Sequence, residues 1–266
     1  MSAPTMACGL LTEEQERGFF GPGFAVLREA FSAEEIAAVR QAFERLEHRA
    51  TALGESRVED GAQFVVDTRS DLDGTRRRRI QRIVWACALD PLLDRVGQDP
   101  RLVRAAGRLL RSREVAHIVS QAHFKIPGDG VEFPWHQDSR HRRYGTTDWR
   151  DVNGDGSYVQ TVLAIDDADA SNGPLEFLPG SWRLGHVDRA GRGARVAHEL
   201  VRAVEPVSIA LRAGDVVLFG PYAFHRSEPN GSTRPRRAFL NGYATPGANF
   251  RLYPGRSAGR ILPTDV

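Results

Sequence analysis

The stretch Val115-Ala116-His117-Ile118-Val119-Ser120-Gln121-Ala122-His123-Phe124-Lys125-Ile126 marks the point where the chain changes character. It is rich in strand-forming residues and ends at a Pro127-Gly128 turn signal. Residues 158–165, 174–178, 204–211, 215–219 and 236–244 read the same way, punctuated by Gly, Pro, Asn and Asp. Upstream the pattern is helical. Thr12-Glu13-Glu14-Gln15 and Ser32-Ala33-Glu34-Glu35 each fit a capping box, in which a hydroxyl and a side chain three residues on satisfy orphan amides. After Ser32, the residues Ile36, Val39, Phe43 and Leu46 recur at helical spacing. Between these helices, residues 23–27 form a short strand after a Gly-Pro-Gly turn. Asp99-Pro100 opens another helix, with Leu102, Ala106, Leu109 and Leu110 on its apolar face. Residues 51–79 are polar and contain glycine, and read as a long loop. Helices first and strands afterwards give α+β: a double-stranded β-helix (jelly-roll, cupin-like) core with N-terminal helices packed outside. The expected organisation is one domain over residues 1–266, mainly helical to 113, with the jelly roll at 114–250.

Composition narrows the function. With 36 basic and 34 acidic residues the net charge is +2, which gives no general case for nucleic acid. The local run Thr75-Arg76-Arg77-Arg78-Arg79 reads as a solvated edge, or as a means of steering an anion. No apolar run is long enough to span a membrane. The N-terminus lacks a basic region followed by an apolar one, which points to the cytoplasm. Cys8 and Cys87 form neither a disulfide framework nor a metal pair.

His136-Gln137-Asp138 is a His-x-Asp motif. On an extended strand, side chains two apart point the same way, so both can reach one ion. A distant histidine completes a three-ligand face and leaves half an octahedron open, which suits non-heme iron(II). His186-Val187-Asp188 matches the same pattern, but it lies in a Gly- and Arg-rich loop with no strand before it. His136 follows strand-like sequence and the Pro134-Trp135 pair. The second piece is Gly220-Pro221-Tyr222-Ala223-Phe224-His225-Arg226-Ser227, followed by Arg236. An arginine fork binds a carboxylate with two parallel hydrogen bonds, and the Ser227 hydroxyl can add a third.

These stretches resemble the phytanoyl-CoA dioxygenase family of iron(II)/2-oxoglutarate oxygenases. The resemblance is carried by Trp135-His136-Gln137-Asp138, by Ala164-Ile165-Asp166-Asp167 leading to Asn172-Gly173-Pro174-Leu175, by His225-Arg226-Ser227 and by Arg236. Pro179-Gly180-Ser181-Trp182 also matches, although the family usually has histidine at the last position. The resemblance implies Fe(II), 2-oxoglutarate and O2 as cosubstrate, with iron on His136, Asp138 and His225. It places the distal carboxylate of 2-oxoglutarate on Arg236 and Ser227, with Arg234 and Arg237 as rivals for the arginine's role. Gln121, His123 and Lys125 share one face of their strand. His123 falls where relatives place a polar cosubstrate contact, with Gln121 beside it, while Lys125 ends the strand. Retention of Asp138 argues for hydroxylation and against halogenation.

Residues 139–157 are too long for a tight turn and read as a lid. There Gln137, Arg140, His141, Tyr144 and Trp149 are the candidates for facing a small-molecule substrate, expected to belong to secondary metabolism. Epimerisation, cyclisation and desaturation start from the same chemistry. A cupin-like metal-dependent hydrolase or isomerase, or a non-catalytic binding module, are the readings from other classes. Oligomeric state is not legible.

Overall fold

Two capped helices set the frame. In the computed structural model, which describes residues 11–70, 76–128, 130–187, 193–251 and 259–265 (side chains of 69, 70 and 76–78 excepted), Thr12 and Ser32 both form the expected capping boxes. They open α1 (Glu13–Phe20) and, after β1 (Phe24–Leu27), α2 (Ala33–Leu53). The second helix buries Ile36, Val39, Ala42, Phe43, Leu46 and Ala50 along one stripe and ends at Gly54, whose φ of 67° is left-handed.

Next come β2 (Arg57–Glu59), β3 (Ala62–Ser70), β4 (Arg76–Val84), α3 (Pro91–Gly97), α4 (Pro100–Leu110), β5 (Glu114–Lys125) and β6 (Phe133–His136). After the one-turn helix α5 (Asp138–His141) follow β7 (Tyr158–Ala164), β8 (Leu175–Phe177), α6 (Gly193–Val201) and β9 (Val207–Ile209). The chain closes with β10 (Val216–Phe219), β11 (His225–Ser227), β12 (Arg236–Ala244) and β13 (Arg260–Pro263).

The strands form two antiparallel sheets. The larger runs β1-β10-β7-β12-β5-β4-β3-β2, with β13 also on β5, and the smaller runs β6-β11-β8-β9. This is the expected α+β jelly roll with helices outside. Alternation along the central strands divides the core. Val159 and Leu163 of β7, Phe239 and Tyr243 of β12, and Val216 and Leu218 of β10 face the helices. Their neighbours Val162, Ala164, Ala238, Val217 and Phe219 face the smaller sheet. Phe43 of α2 ties the helical layer down, with its ring centroid 5.3 Å from that of Phe124 and 6.1 Å from that of Phe239. Full burial of such a ring contributes about 2–3 kcal/mol. Among the described residues, no helix is long and apolar enough to cross a membrane.

The expected loop at 51–79 is wrong for much of its length, because β2, β3 and the start of β4 occupy it. Asp60 and Gly61 join β2 to β3 with φ of 48° and 78°, both left-handed, as a two-residue hairpin turn requires. Charge does not prevent pairing here. Phe64, Ile80 and Ile83 bury into the helical layer while polar neighbours face away, and Asp67 stands opposite Arg79 in the register. Of the basic run, the backbone of 76–79 lies in β4; Thr75 lies outside the described residues.

Candidate metal centre

Antiparallel pairing of β6 with β11 sets His136 directly opposite His225. His136 closes its strand, Gln137 remains extended (φ −113°, ψ 137°), and Asp138 opens α5. Alternation therefore turns His136 and Asp138 into the space between the sheets and Gln137 away from it. The Nε2 atoms of His136 and of His225 each lie 3.9 Å from Asp138 Oδ1, and the two imidazole centroids are 4.2 Å apart.

Backbone carbonyls fix both tautomers. His136 Nδ1–H donates to Pro134 O at 2.7 Å, and His225 Nδ1–H donates to Ala223 O at 3.0 Å. In its neutral form each ring then turns the Nε2 lone pair toward the carboxylate, the form a metal takes. Burial, helped by nearby His136, pushes His225 down to about 3, so it is neutral at physiological pH. Burial alone would raise the Asp138 carboxyl, but His225, Arg142 and His136 outweigh it and hold the group below its usual value. An ion about 2.1 Å from each donor keeps adjacent donors roughly 3 Å apart, so each Nε2 stands about 1 Å further from Asp138 Oδ1 than in a filled site. His141 offers a further donor, since its ligand atom and those of His136 and Asp138 all lie within 4.8 Å of one another. It is exposed, however, and among the described residues no hydrogen bond fixes its tautomer, whereas His225 is buried and anchored.

The three side chains open into a cavity of about 340 Å³ between the sheets. Arg236, Ser227, Gln121, His123 and His141 also line it. Arg236 is 6% exposed, and burial alone lowers it to about 10. Its rivals are spent on carboxylates. Arg237 grips Asp166 through Nε at 2.8 Å and Nη2 at 3.0 Å on the helical side, and exposed Arg234 holds Asp169 at 2.7 Å. Ser227 Oγ accepts from Lys125 Nζ at 2.7 Å, which leaves the hydroxyl hydrogen for another acceptor. Lys125 also donates to the backbone carbonyls of Ser227 and Glu228, so it secures β11 at the end of its own strand. His123 is pushed well below its usual value by burial, then by Arg82 and Arg236. Its Nε2 meets Gln121 Oε1 at 2.8 Å.

The other lid candidates do not face this cavity. Gln137 is wholly buried: Nε2 donates to Gly185 O at 2.9 Å and to Tyr222 O at 2.7 Å, and Oε1 accepts from Val187 N–H at 3.0 Å. Tyr144 and Trp149 stack on each other at 4.8 Å within a separate apolar cluster, because the loop folds back on its own aromatic residues. Arg140 is exposed outside the cavity. Of His186-Val187-Asp188, His186 Nδ1 bonds Ser139 Oγ at 2.8 Å and Asp188 lies outside the described residues. Trp182, which stands where the family usually has histidine, donates from Nε1 to Gly21 O at 3.0 Å and covers Gly23. The sequence reading missed Gln63, Arg82, Arg142, Gln160 and Arg251, all of which line the cavity. The first two lie on strands placed within or just beyond the supposed loop.

The sequence pattern of the phytanoyl-CoA dioxygenase (PhyH) family matches residues 20–238. The chain belongs to that family. This family member is 28% identical over 245 residues to an ectoine dioxygenase of Bordetella bronchiseptica, covering 85% of the chain and 73% of the relative. It is 29% identical over 206 residues to an L-proline trans-4-hydroxylase of Streptomyces griseoviridis, covering 66% and 74%. In fold it resembles iron-bound EctD from S. alaskensis, with a TM-score of 0.72, 24% identity, and coverage of 97% of this chain and 84% of that one. It also resembles the carbocyclase SnoK from nogalamycin biosynthesis, with a TM-score of 0.70, 18% identity, and coverage of 95% and 96%. As a PhyH protein the enzyme is an oxygenase dependent on iron and 2-oxoglutarate, with a donor set suited to both.

Proposed function

We propose that this PhyH protein hydroxylates an unactivated carbon–hydrogen bond of a small molecule, with iron held by His136, Asp138 and His225. The observation that carries this reading is the meeting of two tautomer-fixed Nε2 atoms, each 3.9 Å from Asp138 Oδ1, in a cavity that also holds Arg236 without a carboxylate. When bound, ferrous iron and 2-oxoglutarate supply the oxidation of substrate by dioxygen, with release of succinate and carbon dioxide. The protein's own residues do the rest. Pro134 and Ala223 carbonyls hold the imidazoles in the metal-binding tautomer. Arg236 and the Ser227 hydroxyl bind the distal carboxylate of 2-oxoglutarate, and Gln121 with neutral His123 provides polar wall beside it. Phe219, Val162 and Leu240 keep that part of the cavity apolar. Two relatives, named for dioxygenation of ectoine and hydroxylation of L-proline, support hydroxylation over epimerisation or ring closure. The substrate class we favour is a secondary metabolite.

Anaerobic titration of 2-oxoglutarate onto the Fe(II) protein tests the reading. A weak visible charge-transfer band is expected, and it should vanish in His136→Ala and His225→Ala together with substrate-dependent succinate release. Normal turnover in either variant would remove that residue from the ligand set. A screen of candidate substrates, with mass analysis of products, separates a gain of one oxygen atom from isomerisation or loss of two hydrogens.

A further inference from the structure

Positive charge is left over in the cavity after iron and cosubstrate are assigned. Of the residues lining it, five are arginines (82, 142, 226, 236 and 251) and Asp138 is the sole carboxylate. Arg226 is paired with Glu176 at 2.8 Å and Glu228 at 3.0 Å. A divalent ion, Asp138, dianionic 2-oxoglutarate and Arg236 together cancel to neutrality. Arg142 acts on Asp138 and Arg251 donates to His141 O at 2.7 Å, both at the metal end. Arg82 lies apart from them, partly buried, and among the described residues its polar partner is a neutral one, Gln81 Oε1 at 2.6 Å from Nη1. Burial is the one influence on its acidity, and it disfavours the cation.

The sheet register shows where this charge sits. Arg82 on β4 stands opposite His123 on β5, and His123 stands opposite Ala238 on β12. Arg236 lies two residues before Ala238. Two strand spacings across and two residues along put the Arg82 and Arg236 Cα atoms roughly 12 Å apart, with His123 between them. The next row contributes Gln63, Val84 and Gln121, so amide groups border the Arg82 end of the cavity.

We propose that Arg82 is the specificity-determining anchor for an anionic group of the substrate, a carboxylate or a phosphonate-type oxyanion, bound across the cavity from the Arg236 pole. This rests on the oxygenase reading above, because it assigns Arg236 to 2-oxoglutarate. A guanidinium fork matches either oxyanion with two parallel bonds, and the Gln63 and Gln121 amides can supply further donors. Desolvation of an otherwise uncompensated arginine makes the site select against neutral analogues.

The test is calorimetric titration of propionate, methylphosphonate and neutral propionamide into the protein loaded anaerobically with Fe(II) and saturating 2-oxoglutarate. At least one anion should bind one-to-one, roughly tenfold or more tighter than propionamide. Whichever anion binds better identifies the carboxylate or the phosphonate class. Arg82→Met should weaken anion binding about tenfold or more while 2-oxoglutarate affinity stays within twofold, which also shows that the variant is folded. Arg82→Lys should recover part of the loss. Absence of anion binding in the wild type, or equal binding in Arg82→Met, overturns the proposal. So does a loss of 2-oxoglutarate affinity in Arg82→Met, which would reverse the two arginines. Failure of the charge-transfer band to form in the wild type would instead sink the oxygenase reading.

Discussion

Replacing Arg236 by methionine should separate binding from stability in a way no ordinary core substitution does. In the free protein Arg236 is a buried cation lowered to about 10 by burial alone. Against an ordinary value of 12.5, that is about 3 kcal/mol acting against the charged form at neutral pH. Because the folded-state value is depressed, the cost is present at every pH below it and is relieved as pH rises through about 10. Methionine is of similar length and carries no charge, so the ligand-free variant should melt no lower than the wild type. With 2-oxoglutarate the order reverses. Two charge-assisted hydrogen bonds lost together cost about 3 kcal/mol, or roughly 150-fold in dissociation constant. At a concentration about 100-fold above the wild-type constant, the ligand stabilises the wild type by about 2.7 kcal/mol and the variant by about 0.3 kcal/mol. For a chain of this size those figures correspond to shifts in Tm of roughly 5–10 °C and about 1 °C. Differential scanning calorimetry with and without 2-oxoglutarate, anaerobically with Fe(II), reads both arms. A full ligand-induced shift in Arg236→Met would refute the assignment of this arginine, and a large drop in ligand-free Tm would refute the argument that its charge is uncompensated.

Arg237→Met is the counterpart: it strips Asp166 of a bidentate partner, so it should lower stability by about 3–5 kcal/mol in urea unfolding and leave 2-oxoglutarate affinity unchanged. Gln137→Leu takes the partner from two partly buried carbonyls and one partly buried amide, at Tyr222 and in the 185–187 segment, and should cost about 1–3 kcal/mol by the same measurement. His117 is wholly buried and pushed down to about 3, first by burial and then by Arg260. The unfolded chain therefore takes up this proton near pH 6.5 while the folded one does not, and stability falls as pH drops from there toward 3. His117→Gln should make the loss between about pH 6 and pH 4 shallower by roughly 1.4 kcal/mol per pH unit, and an unchanged slope would show that the ring is not held neutral.

How much of this was legible in the sequence follows from what each residue answers to. The capping boxes at Thr12 and Ser32, the stripe through Phe43 and the strands β5, β7, β8, β9, β10 and β12 depend on neighbours in the chain, and they read correctly; the short β11, and β13, which lies beyond residue 250 and pairs with β5, did not. Residues 57–70 did not, because their strand character comes from a partner: β3 is held by β4, β4 by β5, and only the Asp60-Gly61 turn signal was local. The site divides along the same line. The His136–Asp138 alternation is a local matter, and the pairing of His136 with His225 follows once both lie on adjacent strands. Arg234, Arg236 and Arg237 cannot be told apart by type or by spacing. They differ in whether a carboxylate is already in hand: Asp169 for the first, Asp166 for the third, none for the second. Gln137 and Tyr144 stay out of the cavity for the complementary reason, since their polar groups bond inside the protein, and Trp149 stays out because its ring stacks on Tyr144. A polar group conspicuous in a sequence is as often satisfied internally as offered to a ligand. The groups that count are those the fold has desolvated and left uncompensated, which is why Arg82, inconspicuous among 36 basic residues, becomes visible only when the strands around it are assembled.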